Sequence, residues 1–165
     1  MVRNRIKHGR VLVASIHGRG FGRRRQEGGR LKIRRRPGED PTLGIGSPHD
    51  AVDLAEAMLE SVSRQHKTDE VWASFAAAPL AGLLYAASPC GNGKGIAWVN
   101  YAIGDPDADV TRPSWGQAAE ICRSQARMLA DALTRIAAID SRQRQSVGYV
   151  MREAITPWLP AGVKR

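Results

Sequence analysis

The apolar residues that follow position 47 recur at helical intervals. The first such stripe consists of Val52, Ala55, Leu59 and Val62. Intervals of three and four residues place side chains on one face of an α-helix. Ser47 and Pro48 suit the N-cap and the first helical position, so a helix should begin there. The pattern therefore predicts an amphipathic helix that runs to about Gln65.

A second helix is predicted after a short connection. It should start near Thr68 or Asp69 and run towards Ala87. Pro79 lies inside it, and a proline in a helix interior predicts a kink or a break. The next apolar segment, from Ile96 to Ile103, is too short for periodicity to decide between helix and strand.

The longest helix is predicted after Ser114, which has Gln117 three residues later in the pattern of a capping box. The helix should run to about Ile139. Its inward stripe consists of Ala118, Cys122, Ala126, Leu129, Leu133 and Ile136. Asp140 then suits the N-cap of a last helix that stops around Pro157.

These elements predict a mainly α protein, a compact bundle of about four to five helices. We assign residues 47–160 to this helical domain and residues 161–165 to a tail. Residues 1–46 are predicted to form a basic, mostly irregular and flexible arm, because they hold too little apolar surface to offset their chain entropy. Within the arm, residues 10–16 and 31–35 could pair as a short hairpin.

The charge of the chain is concentrated in the arm. Residues 1–38 contain 13 of the 25 lysines and arginines but a single acid, Glu27, whereas the other 127 residues contain 12 basic and 15 acidic side chains. Clustered arginines bind phosphates whatever the base sequence. The candidate nucleic-acid-binding residues are Arg19, Arg23, Arg24, Arg25, Arg30, Lys32, Arg34, Arg35 and Arg36. The alternative is a solubilising segment, or a translated stretch with no selected role.

Two glycine-rich segments lack the full pattern of a phosphate-binding motif. Residues 18–22 lack the third glycine of a dinucleotide fingerprint, because position 23 is arginine. A P-loop needs glycine and a hydroxyl residue where this chain has Ser88 and Gly95. Residues 136–140 resemble a Walker B segment, yet the periodicity places Asp140 at a helix cap. We therefore predict no catalytic residues, no bound cofactor and no ATPase activity.

Cysteine and histidine usage predicts no metal site, and the apolar run of residues 11–16 is too short for a signal peptide, so export is not expected. Cys90 and Cys122 are far apart in the sequence and have no histidine at ligand spacing, so two reduced thiols are expected, although a disulfide stays open.

The uncharged stretch of residues 71–93 contains a proline and ends in turn residues, which favours a buried core helix over a membrane span. We expect a cytoplasmic protein.

The spaced aromatic and apolar residues resemble a known family. The resemblance begins at Asp69 to Ala87, with Trp72, Phe75, Pro79 and Leu80, and continues through Trp98, Asp105 to Asp109, Trp115, Asp140 to Ser146 and Pro157-Trp158-Leu159. Over residues 40–160 the chain looks like the helical region of actinobacterial conjugative coupling proteins. These are the TraG/TraD-type ATPases of type IV secretion, in the FtsK-like P-loop group.

The resemblance implies a role near DNA. In the family, a helical subdomain is inserted into the motor domain and faces DNA or transfer substrates. The phosphate loop and magnesium-binding segment of the motor have no counterpart in this sequence, so no catalytic residues are carried over. The implied protein is a truncated, non-catalytic relative that contacts DNA or a transfer complex. The alternative is a protein-interaction module or a remnant of a larger motor without independent activity.

Overall fold

The computed structural model describes residues 39–66 and 70–162, and within them the protein is helical with no strand. The six α-helices are α1 (Pro48–His66), α2 (Glu70–Ala87), α3 (Gly95–Ile103), α4 (Trp115–Cys122), α5 (Arg127–Ala137) and α6 (Ser141–Ile155). Two short 3-10 helices, Pro41–Gly44 and Thr156–Trp158, flank them. The mainly α prediction is confirmed, with six helices in place of four to five. The predicted hairpin lies outside the described residues.

Helix α2 lies at the centre of the bundle. It contacts α1, α3, α4, α5 and α6, and every residue from Leu80 to Ala87 is buried. Small and apolar side chains allow this close packing, because alanine and glycine let neighbouring backbones approach. Of the kink or break predicted at Pro79, the break is wrong, since the helix continues through this buried proline. Packing on all sides outweighs the lost backbone hydrogen bond.

The segment left open between helix and strand is a helix, α3. The segment before α1 packs against α3 and helps to fix it as a helix. Thr42 and Ile45 are buried, and Asp40 reaches the first turn of α3. Residues 39–46, which the sequence assigned to the arm, thus pack against the helices.

The predicted long helix is two helices, so that prediction is wrong. The axis breaks at residues 123–126, where Ala126 has the non-helical angles φ −137° and ψ 49°. Its predicted inward stripe is nevertheless buried on both sides of the break, from Ala118 to Ile136. The periodicity correctly predicted which residues are buried. The stripe stays buried although the backbone bends at residues 123–126.

Three predicted helix caps are confirmed. The Ser47 hydroxyl accepts from the Asp50 backbone N–H at 3.2 Å, and the Ser114 hydroxyl accepts from that of Gln117 at 3.0 Å. Asp140 caps α6 by accepting from the Arg142 backbone N–H at 2.9 Å. Among the described helices, none combines the length and the apolar character needed to cross a membrane.

Candidate functional site

The nine basic residues predicted to contact nucleic acid lie outside the described residues, so the structure neither places them nor brings them together. The other segments that the sequence singled out are described. They comprise the glycine-rich turn after α2, the end of α5 and the acidic loop between α3 and α4.

The glycine-rich turn holds a carboxylate of the chain itself. Ile96 in the first turn of α3 donates its backbone N–H to Asp40 Oδ2 at 2.8 Å. Gly95 has φ +74°, and a Cβ there would lie 2.1 Å from the same oxygen. In a P-loop, a phosphate occupies the helix N-terminus. Here Asp40 occupies that position, and helix α2 precedes the turn where a P-loop has a strand.

Ser88, which stands where a P-loop has its first glycine, stabilises the turn after α2. The Ser88 side chain is buried, donates to the Tyr85 carbonyl at 2.7 Å and accepts from the Cys90 backbone N–H at 3.2 Å. These bonds close the turn at the end of α2. Lys94 is exposed.

The acidic loop between α3 and α4 is held together by one arginine. Arg112 lies 2.9 Å from carboxylate oxygens of Asp105 and Asp109 and 3.3 Å from one of Asp107. Hydrogen bonds from the side chain and backbone of Thr111 lower the pKa of Asp109. The three carboxylates are thereby directed towards Arg112.

This loop also fixes the start of α4. The backbone N–H groups of Trp115 and Gly116 donate to the carbonyls of Asp105 and Asp107, each at 3.0 Å. A Cβ on Gly116 would lie 2.4 Å from backbone carbon of Ala108, so only glycine fits this approach. The Trp115 backbone is thereby fixed, and its ring is packed in the interior, with 1% of the residue exposed.

A cleft of about 360 Å³ lies beside Trp115. One wall consists of Ile103, Gly104, Pro106 and Trp115, from the end of α3 to the start of α4. Residues of α6 between Ser141 and Arg152 form the other wall. We call this space the α3–α6 cleft.

Two buried N–H donors of residues lining the α3–α6 cleft have no hydrogen-bond partner among the residues that the structure describes. They are Trp115 Nε1 and Arg144 Nε. The Arg144 guanidinium is anchored at its other side, where Nη1 donates to the Ala137 carbonyl at 2.5 Å. An unpaired buried donor costs about 1–3 kcal/mol.

The α3–α6 cleft is also basic. Arg144 and Arg152 line it, and among the described residues no acidic side chain does so. Tyr149 lies at the rim with 65% of its surface exposed and donates to Glu153 at 2.7 Å. That hydrogen bond raises the pKa of the Tyr149 phenol. The residues that line the cleft therefore bring positive charge and one aromatic surface, and two of them carry an unpartnered N–H.

No sequence motif marks the residues that line this cleft. Arg144, Gly148 and Arg152 recur every fourth residue, which places them on one stripe of α6. A polar stripe with a glycine at its centre was the available signal. This stripe forms a cleft only together with Trp115, and it is the fold that brings Trp115 to the opposite wall.

The two cysteines are free thiols in different environments. Cys90 is half-buried, whereas Cys122 is buried and directs its sulfur to the Gly82 carbonyl at 3.4 Å. Burial raises the pKa of Cys122 from its ordinary 9.0 to about 12. Cys122 therefore stays protonated at neutral pH and packs as a small apolar residue.

No protein-family model matches the chain, and no curated protein or solved structure is significantly similar to it. The resemblance to coupling proteins stays a prediction.

Proposed function

We propose that the protein is a non-catalytic helical domain, related to conjugative coupling proteins, that contacts DNA or a transfer complex through its basic N-terminal segment. The observation that carries the proposal is the uneven charge. Residues 1–38 carry a formal net charge of +12, and the remainder of the chain carries −3. A short segment of such charge binds phosphates by releasing their counterions.

The distribution of charge on the helices supports one orientation on DNA. The outer face of α1 carries Asp53, Glu56 and Glu60, whose carboxylates would be repelled by a phosphate backbone. We expect α1 to face away from the nucleic acid. A rival arrangement pairs the basic segment with this acidic face inside one molecule.

Matched charge variants of the full chain test the proposal. One variant replaces Arg34, Arg35 and Arg36 with glutamine, and the control replaces the exposed Arg123, Arg127 and Arg135. Both lose three positive charges, so net charge alone cannot separate them. Fluorescence anisotropy with two unrelated duplexes should show at least tenfold weaker binding for the first variant and a small loss for the control, for either duplex.

Two results would contradict the proposal. Equal losses for the two variants would mean that location is irrelevant and that only net charge matters. Unchanged binding by the first variant would remove residues 34–36 from the contact.

If neutralising Glu56 and Glu60 instead strengthened DNA binding about tenfold, the segment would be held by α1 in the free protein.

The second candidate function is a protein-interaction module, favoured by an exposed apolar surface on α2. Val71 and Phe75 are 56% and 53% exposed. The Trp72 ring lies beside that of Phe75, with centroids 6.0 Å apart. Large apolar side chains grouped in this way are typical of interaction surfaces.

Sedimentation of full-chain variants tests the interaction module. If the α2 surface mediates self-association, Phe75→Ser should shift the protein towards the monomer. Met128→Ser is the matched control, because Met128 is 82% exposed on a different helix, α5. A wild-type protein that stays monomeric at the highest concentrations would count against self-association through this surface.

A further inference from the structure

We propose that the α3–α6 cleft binds a phosphate monoester group. None of the described residues that line the cleft belongs to the basic N-terminal segment, so the site stands or falls independently of the proposed DNA contact. Its residues come from α6 and from the connection between α3 and α4.

The two unpartnered donors are the first argument. Trp115 Nε1 and Arg144 Nε are buried and belong to residues that line the same cleft. Both atoms can only donate, so the missing partner must be a hydrogen-bond acceptor. The other two unpartnered buried atoms in the described chain belong to Trp98 and Gln117, which do not line the cleft.

The charges around the cleft select an anion. Two guanidinium groups line it, while the acidic side chains nearest in sequence have partners of their own. Asp105 and Asp107 pair with Arg112 at 2.9 and 3.3 Å. Asp140 accepts from the Arg142 backbone N–H at 2.9 Å, and Glu153 accepts from Tyr149 at 2.7 Å. Arginine forms its strongest hydrogen bonds with phosphate and carboxylate oxygens. A phosphate monoester carries nearly two negative charges, which matches two arginines better than one carboxylate does.

The size of the cleft limits the ligand. A volume of about 360 Å³ lies at the lower end of the range for small-molecule sites and suits a group the size of a mononucleotide. The exposed Tyr149 ring at the rim supplies a surface on which a base can stack. The phosphate could belong to a free mononucleotide or to the 5′ end of a single strand, which share this chemistry.

The donors are held in position before any ligand binds. The Trp115 backbone is tied to the Asp105 carbonyl, and Arg144 is tied to the Ala137 carbonyl. Preorganised donors lose little conformational entropy on binding. The cleft therefore has the rigidity expected of a site.

Titration of the full chain followed by NMR of the tryptophan indole N–H groups tests the proposal. The chain has four tryptophans, and Trp→Phe variants assign their signals. Adenosine 5′-monophosphate should shift the Trp115 indole signal in a saturable manner. The Trp98 signal should stay in place, because Trp98 is also buried and unpartnered but lies outside the cleft.

Variants of α6 sharpen the test. Arg144→Gln should weaken binding about tenfold or more, since it removes a charge-assisted hydrogen bond. Arg144→Lys keeps the charge but lacks the Nε–H, so it should bind less tightly than the wild type as well. Arg142→Gln is the control that should leave the affinity unchanged, because Arg142 does not line the cleft. An unshifted Trp98 signal in each variant reports an intact fold.

The ligand panel distinguishes sources and alternatives. A saturable Trp115 shift with a 5′-phosphorylated oligothymidine, but not with its 5′-hydroxyl form, supports a strand end as the source. A shift with the mononucleotide alone supports a free nucleotide. An equal shift with acetate, or no Trp115 shift at millimolar mononucleotide, would overturn the proposal. Persistence of the shift when Arg34, Arg35 and Arg36 are replaced by glutamine would separate this site from the basic segment.

Discussion

Asp40 shows how one carboxylate can organise two parts of the chain. Its Oδ1 accepts from the backbone and hydroxyl of Thr42, at 2.9 and 2.7 Å, and its Oδ2 accepts from the Ile96 backbone. It therefore caps the first 3-10 helix and α3 together. The caps at Ser47, Ser114 and Asp140 could be predicted because their partners lie two or three residues away. The partner of Asp40 in α3 is 56 residues distant, so no local pattern reveals it.

Replacing Asp40 with alanine should lower the free energy of unfolding by about 1–2 kcal/mol, the usual cost of losing a helix cap. Urea unfolding of the full chain measures this change. Glu39→Ala is the neighbouring control and should change stability by less than about 0.5 kcal/mol, because Glu39 is exposed. Equal effects of the two substitutions would show that Asp40 has no special role as a cap.

The thiols should differ in reactivity. At pH 8 a disulfide reagent should modify Cys90 in the folded protein, and Cys122 should react only after denaturation. Cys90→Ser should abolish the reaction of the folded chain. Because the folded pKa of Cys122 is raised, its contribution to stability is fully present below pH 9 and is lost as the pH rises towards 12. Rapid modification of two thiols in the folded protein would contradict the burial of Cys122.

At the scale of the helices, sequence periodicity predicted which faces are buried better than where helices end. The stripe from Ala118 to Ile136 keeps intervals of three and four residues across the break before α5, and neither glycine nor proline marks that break. At Pro79 the error is the reverse: the sequence signals a helix break, but α2 continues because tertiary packing stabilises it. The helical state of α3 depends on Asp40 and on burial by neighbours, which a short apolar run cannot convey.

Two glycines should respond in opposite ways to replacement by alanine. Gly116→Ala should destabilise the protein by about 1–3 kcal/mol, because the new Cβ would overlap the backbone of Ala108. Gly148→Ala should raise stability by up to about 1 kcal/mol, since Gly148 lies inside α6 and its Cβ would meet the nearest atom at 3.8 Å. Thermal and urea unfolding would compare them. A stabilising Gly116→Ala would show that the loop and α4 are not packed this closely.

At the scale of the whole molecule, the helical class follows from apolar periodicity, whereas the α3–α6 cleft does not. Its two buried donors, on Trp115 and Arg144, come from helices separated by α5 in the sequence. Whether a donor lacks a hydrogen-bond partner depends on how the helices pack, so no sequence motif reveals it. The charge asymmetry, by contrast, is read directly from composition, and it is the feature on which the proposed DNA contact depends.

The salt dependence of duplex binding tests that contact most directly. For B-form DNA, the logarithm of the association constant falls with the logarithm of salt concentration by about 0.9 per phosphate neutralised. Replacing Arg34, Arg35 and Arg36 with glutamine should therefore reduce this slope by up to about 3, measured between roughly 50 and 200 mM salt. The same steep slope in the wild type and this variant would contradict phosphate contact by these arginines.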